Sequence, residues 1–365
     1  MEYRKLKELV EINSESITKN YNESIINYLD TSNITNGKID SIVEMNIKDA
    51  PSRAKRIVRE NDIIYSTVRP NLCHYGILRK TCKNMIVSTG FVVLRCKKEI
   101  LPEYLYAYIT LPEITMKLHA IAETTTSAYP SIKPNDLEEI DILLPKIEIQ
   151  KKISNILSNI DKKIELNNQI NDNLLKLGNI LYKETFKNLS GANQQKLGEL
   201  CNIKYGKGLP TSKIDNTGYP VYGGNGIIGY YHEVMYEDSQ ILISCRGAAS
   251  GNVIISKPKS FVTNNSLILE CERKYHHYLT QYSLDNYYYE YTTGSAQPQI
   301  TIDNIKDIVI NIPSDEELDA FNKHMEALEQ KYFCILKEIN RLEQLRDTLL
   351  PKLMNGEIDL DKIEI

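Results

Sequence analysis

Residues Thr124–Pro145, TTTSAYPSIKPNDLEEIDILLP, recur as Thr292–Pro313, TTGSAQPQITIDNIKDIVINIP, at a constant offset of 168 with no gap. Thr124, Thr125, Ser127, Ala128, Pro130, Ile132, Ile140, Ile142 and Pro145 meet identical residues, nine in 22 positions. Such self-similarity is the mark of an internal duplication. Weaker echoes lie upstream. Lys5-Leu6, Glu8-Leu9 and Ile12 match Lys196-Leu197, Glu199-Leu200 and Ile203 at offset 191, and Val87, Leu94 and Cys96 match Val262, Leu269 and Cys271 at offset 175. The falling offset makes the second copy the shorter one, with its deletions in the middle, where loops lie.

A long helical pattern follows each copy. In the first, Ile149, Ile153, Ile156, Ile160, Ile170, Leu174, Leu177 and Leu181 recur in steps of three and four, with Lys163 and Asn167 at the two middle positions. This predicts a helix over about 148–187, roughly 60 Å at 1.5 Å per residue. In the second, Leu318, Phe321, Met325, Leu328, Tyr332, Ile335, Ile339 and Leu342 form a sustained heptad seam. Ser314 with Glu317 reads as its capping box, Pro351 lies past the seam, and Gly356 closes the segment. If the two seams pair, connectivity makes them antiparallel, with the two domains at opposite ends of a rod about a pseudo-twofold axis. The competing reading is two amphipathic helices, each packed on its own domain. Leu157, Ile164, Phe333, Leu336 and Leu345 lie outside the seam. They suit a bundle completed by a partner's helices, or packing under the chain's own domains.

Between the helical stretches the runs are short and β-rich, as in Asp62–Val68, Phe91–Cys96, Gln240–Cys245, Asn252–Ser256 and Ser266–Cys271. Tyr104–Ile109 and Tyr275–Tyr291 look helical or mixed. The expected class is α+β: a domain over 1–145, a spacer helix over 146–190, a second domain over 191–313, and a second spacer helix with tail over 314–365.

A chain of 365 residues exceeds one ordinary core. Its net charge of −4 argues mildly against nucleic acid, but charge is local. Lys48–Lys83 holds nine basic residues against Asp49, Glu60 and Asp62, while the C-terminal part is acidic. Taken alone, the basic segment reads equally as a solvated surface run. Trp is absent and 24 Tyr carry the aromatic weight. The seven Cys form no CxxC pair, which disfavours a disulfide framework or a zinc site and fits reduced thiols in the cytoplasm. No apolar signal core follows Met1, and no run is long enough to span a membrane.

Catalytic readings fail on spacing. Gly223-Gly224-Asn225-Gly226 lacks the Lys and Ser/Thr of a phosphate loop, and its glycines suit a tight turn with close backbone approach. No Pro-Pro pair exists to form an adenine methyltransferase motif. Glu329 with Lys331 reads as a helix-surface salt bridge, and His276-His277, without further ligands at useful spacing, as surface or stacking histidines.

Six segments resemble the specificity subunit of type I restriction-modification systems. Leu345–Asp359, LRDTLLPKLMNGEID, looks like the family's signature at its second conserved helix. YPVYGGNGIIGY, ILISCRGAASGNVII and FVTNNSLIL are similar to one subclass of target recognition domain, and DIIYSTVRPNLCHYGIL with VSTGFVVLR to another. The resemblance covers the whole chain. It implies two target recognition domains, each contacting one half of a split, asymmetric site in double-stranded DNA, spaced by an antiparallel coiled coil. It further implies two methyltransferase subunits docked on that scaffold and two restriction (motor) subunits. S-adenosylmethionine, ATP and Mg2+ belong to those partners, so no cofactor, metal or catalytic residue is expected here. A specificity subunit serving a fused nuclease-methyltransferase, or a scaffold that has lost DNA binding, are the alternatives.

Sequence reading by such a protein needs cations for phosphates, and amides, hydroxyls or guanidinium groups for base edges. Candidates in domain one are Arg53, Lys55, Arg56, Arg69 and Asn71, with Ser127, Tyr129, Ser131 and Lys133 from the repeated loop. In domain two they are Tyr222, Asn225, Arg246, Asn264, Asn265, Ser295, Gln297 and Gln299. Unlike central loops in the two domains suit unlike half-sites.

Overall fold

The computed structural model describes residues 2–18, 20–124, 130–187, 189, 193–286, 288–294, 297–358 and 360. The chain divides into two compact units, residues 1–166 with 339–365, and residues 167–338.

The first unit is built on a four-stranded antiparallel sheet in the order Val10–Ile12, Phe91–Cys96, Ile63–Ser66, Tyr75–Ile77. Its central strands, FVVLRC and IIYS, are β-branched and aromatic, which suits a sheet buried on both faces. Helices Pro102–Ile109 and Pro112–Glu123 cover one face, and each starts at a proline, whose missing N–H costs nothing in a first turn. The other face meets a second sheet, Val43–Asn46, Ile25–Leu29, Met85–Ser88, Ala54–Ile57, whose middle pair is parallel. Strand Glu2–Lys5 pairs antiparallel with Asp141–Leu144, so the globular part opens and closes on one two-stranded clasp.

The second unit repeats this plan. Its main sheet runs Cys201–Tyr205, Ser266–Cys271, Ile241–Ser244, Val253–Ile255, against helix Arg273–Asp285. The clasp is Asn193–Lys196 with Val309–Ile312. The smaller sheet, Gly226–Tyr231, Tyr219–Gly223, Phe261–Val262, keeps the parallel pairing but has three strands. The counterpart of Ala54–Ile57 is reduced to one antiparallel bridge, Tyr236 with Ser260, so the drop in offset from 191 to 175 includes a shortened edge strand as well as shorter loops.

Two long helices serve both units, Ile147–Thr185 and Asp315–Met354. The second is capped as its sequence predicts: Glu317 accepts from the Ser314 backbone N–H (2.9 Å) and hydroxyl (2.8 Å). It continues through Pro351 rather than stopping there, and Leu353, Met354 and Leu360 join the first core beside Ile153 and Leu157. Arg346 pairs with Asp161 at 3.3 Å. In the second unit Tyr182 and Phe186 pack on Phe321, with centroids at 6.3 and 4.9 Å. Within each unit the two helical stretches therefore run antiparallel.

The buried stripe of the first helix differs from the predicted seam. Ile153, Leu157, Ile160, Asn167, Asn171 and Gly178 are buried, while Ile170 and Leu177 are each 43% exposed. The sequence offers two apolar stripes one residue apart, and spacing alone does not choose between them. The domain cores choose. Leu157 is therefore a core residue, not surplus left for a partner. Asn167 and Asn171 occupy the buried register as polar amides. Polar groups there cost stability and fix alignment.

Candidate nucleic-acid interface

In domain one, one rim is tied together by backbone hydrogen bonds. Thr89 N–H donates to the Arg53 carbonyl (2.7 Å), and Thr67 N–H to Gly90 (2.9 Å). Arg69 N–H donates to Pro130 (2.9 Å), and Ile132 N–H to Thr67 (2.9 Å). Val68 bridges Ser131. The end of the repeated loop is thus pinned beside the turn that carries Arg69 and Asn71. Arg69 sits in the left-handed region (φ 47°) just before the single turn Pro70–Leu72, and it and Asn71 are exposed.

Domain two builds the same rim from different side chains. Cys245 N–H donates to Asn265 (3.0 Å), Gly247 N–H to Pro298 (3.0 Å), and Ile300 N–H to Cys245 (3.1 Å). Arg246 bridges Gln299 where Val68 bridges Ser131. Thr293 and Gln299 exchange both backbone bonds, closing the loop that bears Gln297. The Gly223–Gly226 turn leans on this rim: a Cβ on Gly224 would come 3.0 Å from Ser244 Oγ and 3.3 Å from the Asn265 carbonyl. Close approach to a neighbouring strand is why glycine stands there. Asn225, Arg246, Asn264, Asn265, Gln297 and Gln299 are all exposed.

Other candidates fall elsewhere. Tyr222 is 4% exposed and its hydroxyl accepts from the Lys257 N–H at 2.9 Å, so it is a core residue and not a reader of bases. The cause is the parallel pairing of Tyr222 with Val262, which turns its ring into the sheet. Arg56 is half-buried; it donates to Ser16 Oγ at 3.3 Å, and burial lowers its pKa, so it is no free surface cation. Arg53 is exposed but paired with Asp30, and donates to the Tyr28 hydroxyl at 3.3 Å. Lys55 and Lys133 are exposed, and Ser131 is half-buried. Ser127, Tyr129 and Ser295 lie outside the described residues.

Sequence reading missed Thr89, exposed on the rim at the place Asn264 takes in domain two. The offset of 175 already linked the two strands and would have found it. The two histidines are half-buried, and their rings meet edge-on with centroids 5.7 Å apart. His277 is shielded, its side chain 11% exposed and 4.0 Å from Glu329, and burial lowers its pKa. Glu329, read as a salt bridge to Lys331, instead accepts from Ser239 Oγ at 3.2 Å. Among the described residues no group of three or more His, Cys, Asp or Glu could hold a metal ion, and no helix is long and apolar enough to cross a membrane.

The chain is similar to the type I restriction enzyme HindI specificity subunit of Haemophilus influenzae, at 24% identity over 91% of this chain and 94% of that one. It is also 24% identical to the MjaIX specificity subunit of Methanocaldococcus jannaschii, over 76% of this chain and 74% of that one. The crystal structure of a type I restriction-modification S subunit from M. genitalium shares the fold, with TM-score 0.57 at 20% identity, covering 97% of this chain and 96% of that one. Residues 1–176 and 190–348 match the type I restriction modification DNA specificity domain, and the chain belongs to that family.

Proposed function

We propose that this chain reads DNA sequence for a type I restriction-modification complex and does no chemistry itself. The observation that carries this is the duplicated rim. One backbone frame is presented twice, with Arg69, Asn71 and Ser131 in one copy and Asn225, Arg246, Asn265 and Gln299 in the other. A shared frame with unlike polar side chains suits two half-sites of unlike sequence, because Gln and Asn match adenine edges and Arg matches guanine. Methyl transfer and cleavage then belong to methyltransferase and restriction subunits, which would bring S-adenosylmethionine, ATP and Mg2+.

Apolar groups on the long helices support a docking role. Leu345 is 47% exposed, Ile170 and Leu177 are 43%, and Ile180 is 57%. Ile164, Phe333 and Leu336 are half-buried. The purified chain alone is expected to transfer no methyl group from labelled S-adenosylmethionine, while the chain with its methyltransferase methylates adenine at one split sequence. Methylation by the chain alone, or a partnered complex without sequence preference, would reject the proposal.

Two kinds of rim residue should fail differently. Arg69→Ala is expected to weaken specific and non-specific DNA alike, and to flatten the dependence of log affinity on log salt by about one unit. Gln299→Ala should leave that slope unchanged and relax discrimination at one base pair, by about 1–3 kcal/mol. Competition binding at several salt concentrations separates the two. A Gln299 variant that loses affinity uniformly would place this residue on phosphate instead.

A further inference from the structure

Cys201 and Cys271 face each other across the antiparallel pair that begins the main sheet of domain two. The Cys201 N–H turns away to the Leu197 carbonyl, so the two cysteines form a non-hydrogen-bonded pair. Cα atoms in such pairs lie about 4.5 Å apart, inside the range of roughly 4.4–6.8 Å that a disulfide spans. His276 Nδ1 stands 3.9 Å from Cys271 Sγ. Its Nε2 is 3.4 Å from Ser239 Oγ, which in turn donates to Glu329 at 3.2 Å.

Domain one supplies the comparison. Cys96 is the duplicate of Cys271, on the same strand position and equally half-buried. Its cross-strand neighbour is Val10, and Leu101 stands where domain two has His276. Burial pushes the Cys96 thiol up to about 12. The Cys271 thiol is instead pulled below its ordinary value, first by a hydrogen bond from Cys201 and then by His276. Cys201, the donor of that bond and buried, is pushed up. The same backbone site thus carries an inert thiol in one copy and a paired, histidine-backed thiol in the other.

We propose that Cys201 and Cys271 are a peroxide-sensitive dithiol that closes to a cross-strand disulfide. The Cys271 thiolate attacks a peroxide oxygen, breaking the O–O bond, and becomes a sulfenic acid while hydroxide leaves and is protonated. The Cys201 sulfur then attacks the sulfenic sulfur, the S–S bond forms, and hydroxide departs with the Cys201 proton as water. Two thiols give up two electrons, and one hydrogen peroxide becomes two waters. The thiolate is the nucleophile in the first step, so the thiol of lower pKa leads.

The test uses the full chain. After exposure to hydrogen peroxide, remaining thiols are alkylated under denaturing conditions and the peptides are weighed. A peptide pair joined through Cys201 and Cys271, two hydrogens lighter than the free peptides, is the expected product. In the unoxidised native chain, Cys271 should be alkylated at least about tenfold faster than Cys96, because its larger thiolate fraction outweighs its lower intrinsic nucleophilicity. In Cys201→Ser, dimedone should capture a sulfenic acid at Cys271. If peroxide oxidises the exposed Cys82 and Cys334 while Cys201 and Cys271 stay fully alkylatable, the proposal fails. It fails equally if native Cys271 reacts no faster than Cys96, a result that does not depend on the variant folding.

Discussion

Phe321→Ala is expected to cost the second unit about 3–5 kcal/mol, the usual loss for a phenylalanine cut from a packed core. Phe321 is 2% exposed. Its ring lies edge-on to Phe186 with centroids 4.9 Å apart, and Phe186 lies edge-on to Tyr278 at 5.0 Å. Tyr278 in turn donates from its hydroxyl to the Asn311 carbonyl at 2.6 Å. One ring on the second long helix therefore touches the first long helix at Tyr182 and, through Phe186 and Tyr278, the recognition-domain helix and the clasp strand. Truncation leaves a cavity among elements that cannot collapse independently. Denaturant unfolding should show a lower midpoint, and thermal unfolding a drop of roughly 2–4 °C per kcal/mol. Leu345→Ala, at a site 47% exposed, should stay within about 0.5 kcal/mol. If the two variants lose the same stability, the aromatic cluster does not hold the helices to the domain.

Much of this architecture is legible in the sequence because duplication and heptads leave regular signals. The offset of 168 aligns Pro130 and Ile132 with Pro298 and Ile300, and those residues make equivalent backbone bonds in both copies. Ser314 and Glu317 mark a helix start by local chemistry alone, and the bonds form as expected. What was not legible depended on tertiary contact. Leu157 and Ile156 are equally apolar neighbours, and only the core of the first unit, with Leu353 and Met354 in it, decides that Leu157 is the more deeply buried. Tyr222 looked like a polar aromatic near a glycine turn, yet strand pairing buries its ring. Arg53 and Arg56 read as part of a basic run, but their partners Asp30 and Ser16 lie 23 and 40 residues away, beyond any local pattern.

Exchanging residues 193–313 for the matching segment of a related specificity subunit is expected to change one half of the methylated sequence and leave the other half intact. The reason is the clasp. Asn193 pairs with Ile312 and Lys196 with Val309, so the globular part of domain two starts and finishes on adjacent strands. Every bond that builds its rim also lies inside this segment: Cys245 to Asn265, Gly247 to Pro298, Ile300 to Cys245. A transplanted segment therefore brings its own frame and its own readers. The cut points matter for the same reason. A junction placed after Lys196 would join one protein's clasp strand to another's partner strand and mismatch the pairing that closes the domain. Aromatic contacts to the long helices pass through Tyr278, so the donor should carry a bulky residue there. Methylome sequencing of cells expressing the exchanged chain with its methyltransferase reads the outcome. A motif altered in both halves would show that the domains do not read independently, and an unaltered motif would place base recognition outside residues 193–313.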